Sequence, residues 1–374
     1  MLSRKASLPF VQTRASRLGR PAAFLKASLY PITCCLIAGW TPGCASSGGD
    51  DSSGTKEGTK QGPDSQPTSN SSKPVEPTAS ALPVDESAPL VGTFTIQLQS
   101  QTERAAANAR FSGHASDLPD LDLTVWQLAD EDDASGCQLL TPHTPACTTP
   151  CDADSACVQD DTCAPYGTRH DLGQITISGI STADGQSQFV ATASKPTWDY
   201  HKEASVTLAY PPAPPGNEVR LVSEGGDYSP LDISFKAIAP LELTSEEPLT
   251  LSGDVPLEVT WTADAKSDAR IQVKVDISHH GGAKGKIVCD VPDTGTLSIA
   301  AKLTKGLIDL GVAGYPTIEL TRVARGVGNI EPGRIEFQMI SMEDLSLSIP
   351  GLTSCQADTD CPEGQVCLTT HACQ

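Results

Sequence analysis

Aromatic residues are scarce. Trp, Tyr and Phe together make up 5% of the 374 residues, and methionine occurs three times. Long apolar runs are missing as well. The stretch from Ala27 to Trp40 is too short to span a bilayer comfortably, and Pro31 interrupts it, which excludes a polytopic membrane protein. Positive charge is in short supply: 26 Lys and Arg stand against 46 Asp and Glu, for a net charge of −20. Binding to a phosphate backbone rests on Lys and Arg, so nucleic acid is not the expected partner. No heptad pattern supports a long helix or coiled coil. A Gly-x-Ser-x-Gly elbow, a His-Glu-x-x-His helix, a phosphate loop and a dinucleotide fingerprint are all missing, so the common hydrolase and nucleotide-binding chemistries have no signature. Plentiful instead are Gly (31), Pro (29) and Cys (13). Turns are therefore frequent, and the cysteine usage is that of an exported chain.

The N-terminal region supports export. Residues 1–43 hold Arg4, Lys5, Arg14, Arg17, Arg20 and Lys26 and no acidic residue, followed by the apolar stretch and then Thr41-Pro42-Gly43-Cys44-Ala45. Basic, apolar and small-residue zones in that order form a secretory signal, expected over 1–43. Its removal takes six basic and no acidic residues and deepens the net charge from −20 to −26. The following segment, to residue 89, is Ser, Gly, Asp, Thr, Lys, Gln and Pro, with only Val75, Leu82 and Val84 as large aliphatics. Such a composition cannot bury enough apolar surface to offset its ordering entropy, so 44–89 is expected to be a disordered tether.

The body reads as β structure. From Val91 to Gln99, Phe94, Ile96 and Leu98 alternate with polar residues. Leu121 to Leu128 offers a second alternation, and Ile175–Ile177, Phe189–Ala191, Val206–Leu208 and Val219–Leu221 are short strand candidates bounded by glycine turns. A second unit begins near Ala239-Pro240, with strands around Leu257–Trp261, Ile271–Ile277, Thr317–Val323, Ile335–Ile340 and Leu345–Ile349. Trp261 is its expected core aromatic. One helix is expected over Ala300–Leu310, with Leu303, Leu307 and Leu310 at helical spacing and Gly311 at its end. The fold class is therefore mainly β: antiparallel sandwiches, immunoglobulin-like, with small disulfide knots. The expected organisation is a β-sandwich over 90–239 carrying a Cys-rich insertion at 137–163, a second, immunoglobulin-like sandwich over 240–350, and a Cys-rich knot over 351–374.

Two cysteine clusters share a spacing: Cys147, Cys151, Cys157, Cys163 and Cys355, Cys361, Cys367, Cys373. Cys151-Asp-Ala-Asp also echoes Cys355-Gln-Ala-Asp. Zinc sites favour Cys-x2–4-Cys pairs, whereas five-residue gaps dominate here, so disulfides are expected and no metal is assigned. Four cysteines admit three connectivities. Alternate pairing is the expectation: Cys147–Cys157, Cys151–Cys163, Cys355–Cys367 and Cys361–Cys373. If Cys34 and Cys35 leave with the signal and Cys44 is acylated, ten cysteines remain, and Cys137 with Cys289 forms the fifth pair by elimination. Asp152, Asp154, Asp160, Asp161, Asp358 and Asp360 lie between these cysteines. Without an Asp-x-Asp-x-Asp-Gly loop they are expected to be solvated acidic loops rather than a calcium site. His279-His280-Gly281-Gly282 reads as a hairpin tip, since neighbouring side chains on a strand point to opposite faces and cannot share one metal. A Cys289 nucleophile with either His as base is the competing chemistry.

Gly43-Cys44 resembles a bacterial lipobox, in which an acylated cysteine becomes the mature N-terminus. In such lipoproteins a residue other than Asp after the cysteine, here Ala45, implies the outer membrane. The Cys-Pro-Glu-Gly-Gln-Val-Cys run within 355–373, the segment Asp276 to Gly282 and the segment Cys289 to Gly295 resemble uncharacterised Cys-rich secreted lipoproteins of gliding, predatory Gram-negative bacteria. That resemblance covers most of 140–373 and implies no activity. Taken together, the expectation is a non-catalytic binding or structural lipoprotein of the cell envelope, periplasmic or surface-facing. It needs no cofactor, is held to the membrane by its lipid and meets a protein or glycan ligand. The alternatives are an exported hydrolase using a carboxylate pair and a Cys-rich protease inhibitor.

Overall fold

The computed structural model describes residues 82–102, 105–277, 284–311 and 314–374. The chain divides into two units, Met1–Ser72 and Lys73–Gln374, and every described residue belongs to the second. Cys44 and the His279-His280-Gly281-Gly282 motif lie outside the described residues.

The strands run in chain order as β1 (Leu90–Gln99), β2 (Asn108–Ala115), β3 (Val125–Asp132), β4 (Cys137–His143), β5 (Ser155–Gln159) and β6 (Thr162–Pro165). Next come β7 (Ile175–Ser178), β8 (Gln188–Ser194), β9 (Asp199–Lys202), β10 (Glu218–Ser223), β11 (Asp232–Lys236) and the two-residue β12 (Leu249–Thr250). The last third holds β13 (Leu257–Thr260), β14 (Arg270–Asp276), β15 (Lys286–Pro292), β16 (Thr296–Ile299), the helix α1 (Ala301–Asp309), β17 (Thr317–Ile330) and β18 (Gly333–Ser348).

One large sheet threads most of them, in the order β11-β10-β7-β8-β9-β2-β1-β18-β17-β14-β15-β4-β3. Neighbours along it are antiparallel except β1 and β18, which run parallel, as does the short β12 beside β18. The halves expected over 90–239 and 240–350 thus share a continuous sheet with two cores. β17 and β18 are long enough to serve both. Ile335, Phe337 and Met339 of β18 enter the first core, with Phe94, Ile96, Phe111, Ile177, Tyr200 and Ile233. Leu345 and Leu347 enter the second, with Val259, Trp261, Ile271, Val275, Ile287, Ile299 and Leu320.

The first half curls until its last strand meets its own frame. β11 lies across β17, where a Cβ on Gly326 would stand 2.3 Å from the Ser234 carbonyl oxygen and one on Gly328 2.8 Å from Ile233. Only glycine admits so close an approach. Phe235 then meets Phe337 edge to face, with ring centroids 4.8 Å apart. The second half layers the β18-β17-β14-β15-β4-β3 sheet against the small β13-β16 sheet and α1 across Trp261, and it differs from the unit expected over 240–350 in drawing β3 and β4 from residues 125–143, because β4 pairs with β15. The helix buries Leu303 and Leu307, whereas Leu310 is 37% exposed. Gly311 follows at φ +95°, the left-handed turn that ends a helix.

Three local expectations differ. The strand expected over Leu121–Leu128 begins only at Val125, and Leu123 is exposed, because Asp122 folds back to accept the Thr124 amide. Val206–Leu208 forms no strand, only a single bridge from Leu208 to Thr182. Cys137 opens β4 inside the main sheet rather than belonging to the Cys-rich insertion.

Between the two cores sits a buried charge. Arg322 of β17 is 1% exposed and pairs with Asp293, itself 3% exposed, at 2.7 Å. Its other N–H groups reach the carbonyls of Ala239, Pro240 and Thr262, so the guanidinium holds the point where the chain passes from one core to the other. Asp293 also accepts the Trp261 indole N–H at 2.6 Å and the Asp264 amide at 3.1 Å. Asp264 in turn accepts the Ala239 amide at 2.9 Å. Removing one member of a buried pair leaves the other charge uncompensated, which costs about 3–5 kcal/mol. Arg322→Met is therefore expected to lower unfolding free energy by about that amount. The double variant Arg322→Met/Asp293→Asn is expected to recover part of the loss. Urea titration of the two variants and the wild type measures the difference.

Candidate functional site

The broad sheet of the second half has an inner face on the core and an outer face open to solvent. Strand alternation assigns the residues: Ile271, Val273 and Val275 of β14 point inward, so Gln272, Lys274 and Asp276 point outward. Register then lines up one outward residue per strand. Glu131 of β3 stands opposite Gln138 of β4, Gln138 opposite Val288 of β15, Val288 opposite Lys274, Lys274 opposite Glu319 of β17, and Glu319 opposite Asp344 of β18. This row of six crosses the whole face.

Two concavities flank its charged end. One, of about 460 Å³, is bounded by Gln138, Gln272, Lys274, Val288, Glu319 and Thr321. The other, of about 440 Å³, is bounded by Gln97, Gln99, Asn108, Arg110, Met342 and Asp344. Lys274 donates to Glu319 at 2.9 Å. Asp344 faces Glu319, and among the described residues no ion pair is formed with Asp344. Protein displaces water around it, the Glu319 charge repels its ionised form, and Lys274 offsets only part of this, so its carboxyl is held above the ordinary carboxylate range. At the far edge of the face Lys286 lies 3.7 Å from the centre of the Trp126 ring, and burial there pushes its ammonium down from the usual lysine value.

The face is braced from behind. Cys137 and Cys289 stand directly opposite on β4 and β15 and are joined by a disulfide across 152 residues of sequence. The chain-entropy account gives such a loop about 5 kcal/mol at most. Cys289 is therefore a structural sulfur, and the nucleophile reading loses its thiol.

The other eight cysteines among the described residues form two knots, Cys147–Cys157 with Cys151–Cys163 and Cys355–Cys367 with Cys361–Cys373. The three-sulfur groupings Cys147, Cys151, Cys163 and Cys355, Cys361, Cys373 consist of these bonded sulfurs and hold no thiolate for a metal. The knots match cysteine for cysteine in order, which shifts the Cys151/Cys355 echo seen in the sequence. Cys157 pairs with Cys163 across a hairpin as Cys367 does with Cys373, and the residue two before each last cysteine, Asp161 or His371, is left-handed at φ 55° or 57°. Asp152 and Asp154 are exposed, as expected, whereas the carboxylates of the other four acidic residues between the cysteines are exposed but tied in. Asp160 accepts the Ala146 amide and meets His143 at 3.0 Å, and Asp161 accepts the Thr148 amide. Asp358 accepts the Cys367 amide, and Asp360 the amides of Gln356 and Ala357. The amides hold the carboxyls of Asp160 and Asp360 below the ordinary range, and the Thr148 hydroxyl, followed by the Thr148 amide, does the same for Asp161. Carboxylates that substitute for a core this small are loop fasteners.

No family model and no curated protein matches the chain.

Sequence reasoning missed the outward row, because its members come from six strands and only register joins them. The raised carboxyl makes it testable. A carboxyl that ionises less readily folded than unfolded favours the folded state at low pH and weakens it as pH rises above the ordinary aspartate value. Asp344→Asn is expected to remove that downward slope and to leave the variant more stable than wild type at pH 7. Thermal midpoints from pH 3 to 8 measure both.

Proposed function

We propose that the protein is an exported, lipid-anchored module of the cell envelope that docks a protein partner on the outer sheet face. The observation that carries this reading is the register-aligned row from Glu131 to Asp344 with a concavity on each side of its charged end. Charges of both signs, interleaved with Gln and Thr on a rigid sheet, favour a partner of complementary charge pattern. Such arrays set specificity and association rate more than raw affinity. The Cys137–Cys289 bridge keeps the strands beneath from shifting, so little ordering entropy is lost on docking. Five disulfides suit an oxidising compartment, and the basic-apolar leader with Gly43-Cys44 supplies the anchor.

One observation favours a second reading, an exported glycoside hydrolase. Side chains directly opposite on antiparallel strands have Cβ atoms about 4.5–5.5 Å apart, close to the carboxyl separation of about 5–5.5 Å in retaining glycosidases. Glu319 is ion-paired with Lys274, while burial and the Glu319 charge beside it make Asp344 hold its proton more readily. That is the division of labour between nucleophile and acid.

Two measurements test the proposal. Cys44→Ser is expected to move the protein from the membrane pellet to the soluble fraction. A wild type that is already soluble and starts at Ser46 overturns the anchor. For the face, charge reversal at Lys274→Glu is expected to lower the association rate of an envelope partner captured by cross-linking at Gln272, with a matching loss of salt dependence. Asp344→Asn is expected to leave capture intact. Hydrolysis of envelope polysaccharide by the wild type, lost in both Asp344→Asn and Glu319→Gln, would replace docking by catalysis.

A further inference from the structure

The β8–β9 hairpin closes on four residues, Lys195-Pro196-Thr197-Trp198, between the paired Ser194 and Asp199. Trp198 occupies the left-handed region at φ 56°, and its amide donates to the Ser194 carbonyl at 2.7 Å. A glycine or asparagine would fill that turn position without strain, and a bulky aromatic there is an outlier. The turn itself gives no reason for tryptophan. Backbone strain retained at this half-buried position points to a use for the side chain.

The surroundings show which use. The ring is half-buried and borders a recess of about 390 Å³, whose other walls are Gly167, Thr168, Arg169, Pro196 and Thr197. Lys195 holds its ammonium 4.7 Å from the ring centre. Arg169 is aimed by its ion pair with Asp199, which engages one edge of a guanidinium that carries five N–H donors. The wall opposite the hairpin is rigid: Thr168 exchanges hydrogen bonds with Asp117, its amide donating to the Asp117 carboxylate at 2.6 Å, and Arg169 bridges to Ser116. The recess thus combines one flat apolar surface, the Arg169 guanidinium and the hydroxyls of Thr168 and Thr197, with the Lys195 ammonium beside the indole at its margin, in a chain whose net charge is −20. A sugar ring carrying a carboxylate matches all three features. Its apolar face lies on the indole, its hydroxyls meet the threonines, and its anion meets Arg169 and Lys195.

We propose that this hairpin tip is a binding site for an acidic saccharide, with Trp198 as platform and Arg169 and Lys195 as anion contacts. The site shares no residue with the outer sheet face and stands or falls separately from the docking proposal.

Calorimetry of the full mature chain with trigalacturonate, with maltotriose as the neutral counterpart, tests it. Trigalacturonate is expected to bind at least tenfold more tightly than maltotriose. Trp198→Gly is expected to raise the thermal midpoint by about 2–4 °C, by releasing the strain, and to weaken trigalacturonate at least tenfold. Trp198→Phe, which keeps a ring, is expected to retain part of the affinity. Arg169→Gln is expected to erase the preference for the acidic over the neutral trisaccharide. Four results would each overturn the proposal: no heat with trigalacturonate, wild-type affinity in Trp198→Gly, a lowered midpoint in Trp198→Gly, or Trp198-dependent binding to phosphatidylglycerol vesicles in place of the saccharide.

Discussion

The pairing of Arg322 with Asp293 is the constraint on which the two halves depend. A charge removed from water costs several kcal/mol unless it is matched and hydrogen-bonded on every side. Here it is matched by Asp293 and by three main-chain carbonyls, and two of those belong to Ala239 and Pro240. The guanidinium can be satisfied only when the crossover segment, the Thr262 turn and the end of β15 are all in place. An apolar side chain in that position would pack without regard to which carbonyl lay where. The arginine instead ties the crossover segment and the Thr262 turn to the strand, β17, that serves both cores. Ser341, opposite Arg322 on β18, repeats the logic on a smaller scale by accepting the Leu241 amide at 2.9 Å.

Sharing β17 and β18 has a geometric consequence. The sheet curls at one end and stays open at the other, where its outer face is presented. The first half closes on itself where β11 meets the two glycines of β17. The second half stays broad and, among the described residues, is covered on one side only. The polar row therefore lies where the sheet is widest and where the disulfide fixes two of its strands. Fold and candidate site follow from one arrangement, because the strand that carries Glu319 also carries Arg322 three positions along, on the opposite face.

The readable parts of the sequence were those governed by local physics. Period-two alternation placed Phe94, Ile96 and Leu98 in the first core and Ile271, Val273 and Val275 in the second. Leu303 and Leu307 at helical spacing, with Gly311 behind them, marked the helix within a residue at each end. The failures have physical causes too. Leu121 and Leu123 alternate as a strand would, yet Asp122 prefers its own turn. The sheet shared by both halves was invisible because β1 and β18 are some 240 residues apart and nothing local announces a parallel pairing. The row on the outer face was hidden for the same reason, and so was the role of the knot aspartates, whose amide partners are set by disulfide geometry. Trp198 carried one signal that went unused: a tryptophan in the last position of a hairpin loop, where a turn asks for glycine.

Magnitudes separate the ion pairs that matter from those that do not. Arg220–Asp232, Lys236–Asp268, Arg270–Asp290 and Lys305–Asp309 all lie on the surface with both partners well exposed. Pairs of that kind contribute about 0–1 kcal/mol each, and salt screens them further. Their main effect in so acidic a chain is to spread the sparse cations over the surface and limit repulsion among carboxylates. Arg322 stands apart because its loss would strand Asp293 at 3% exposure. Lys274 stands between the two cases. It is part-exposed, so its pairing with Glu319 adds little to stability, yet it is the one cation of the row and offsets part of what raises the Asp344 carboxyl. The chain thus uses one cation to hold the cores in register and another to set the charge pattern of the open face.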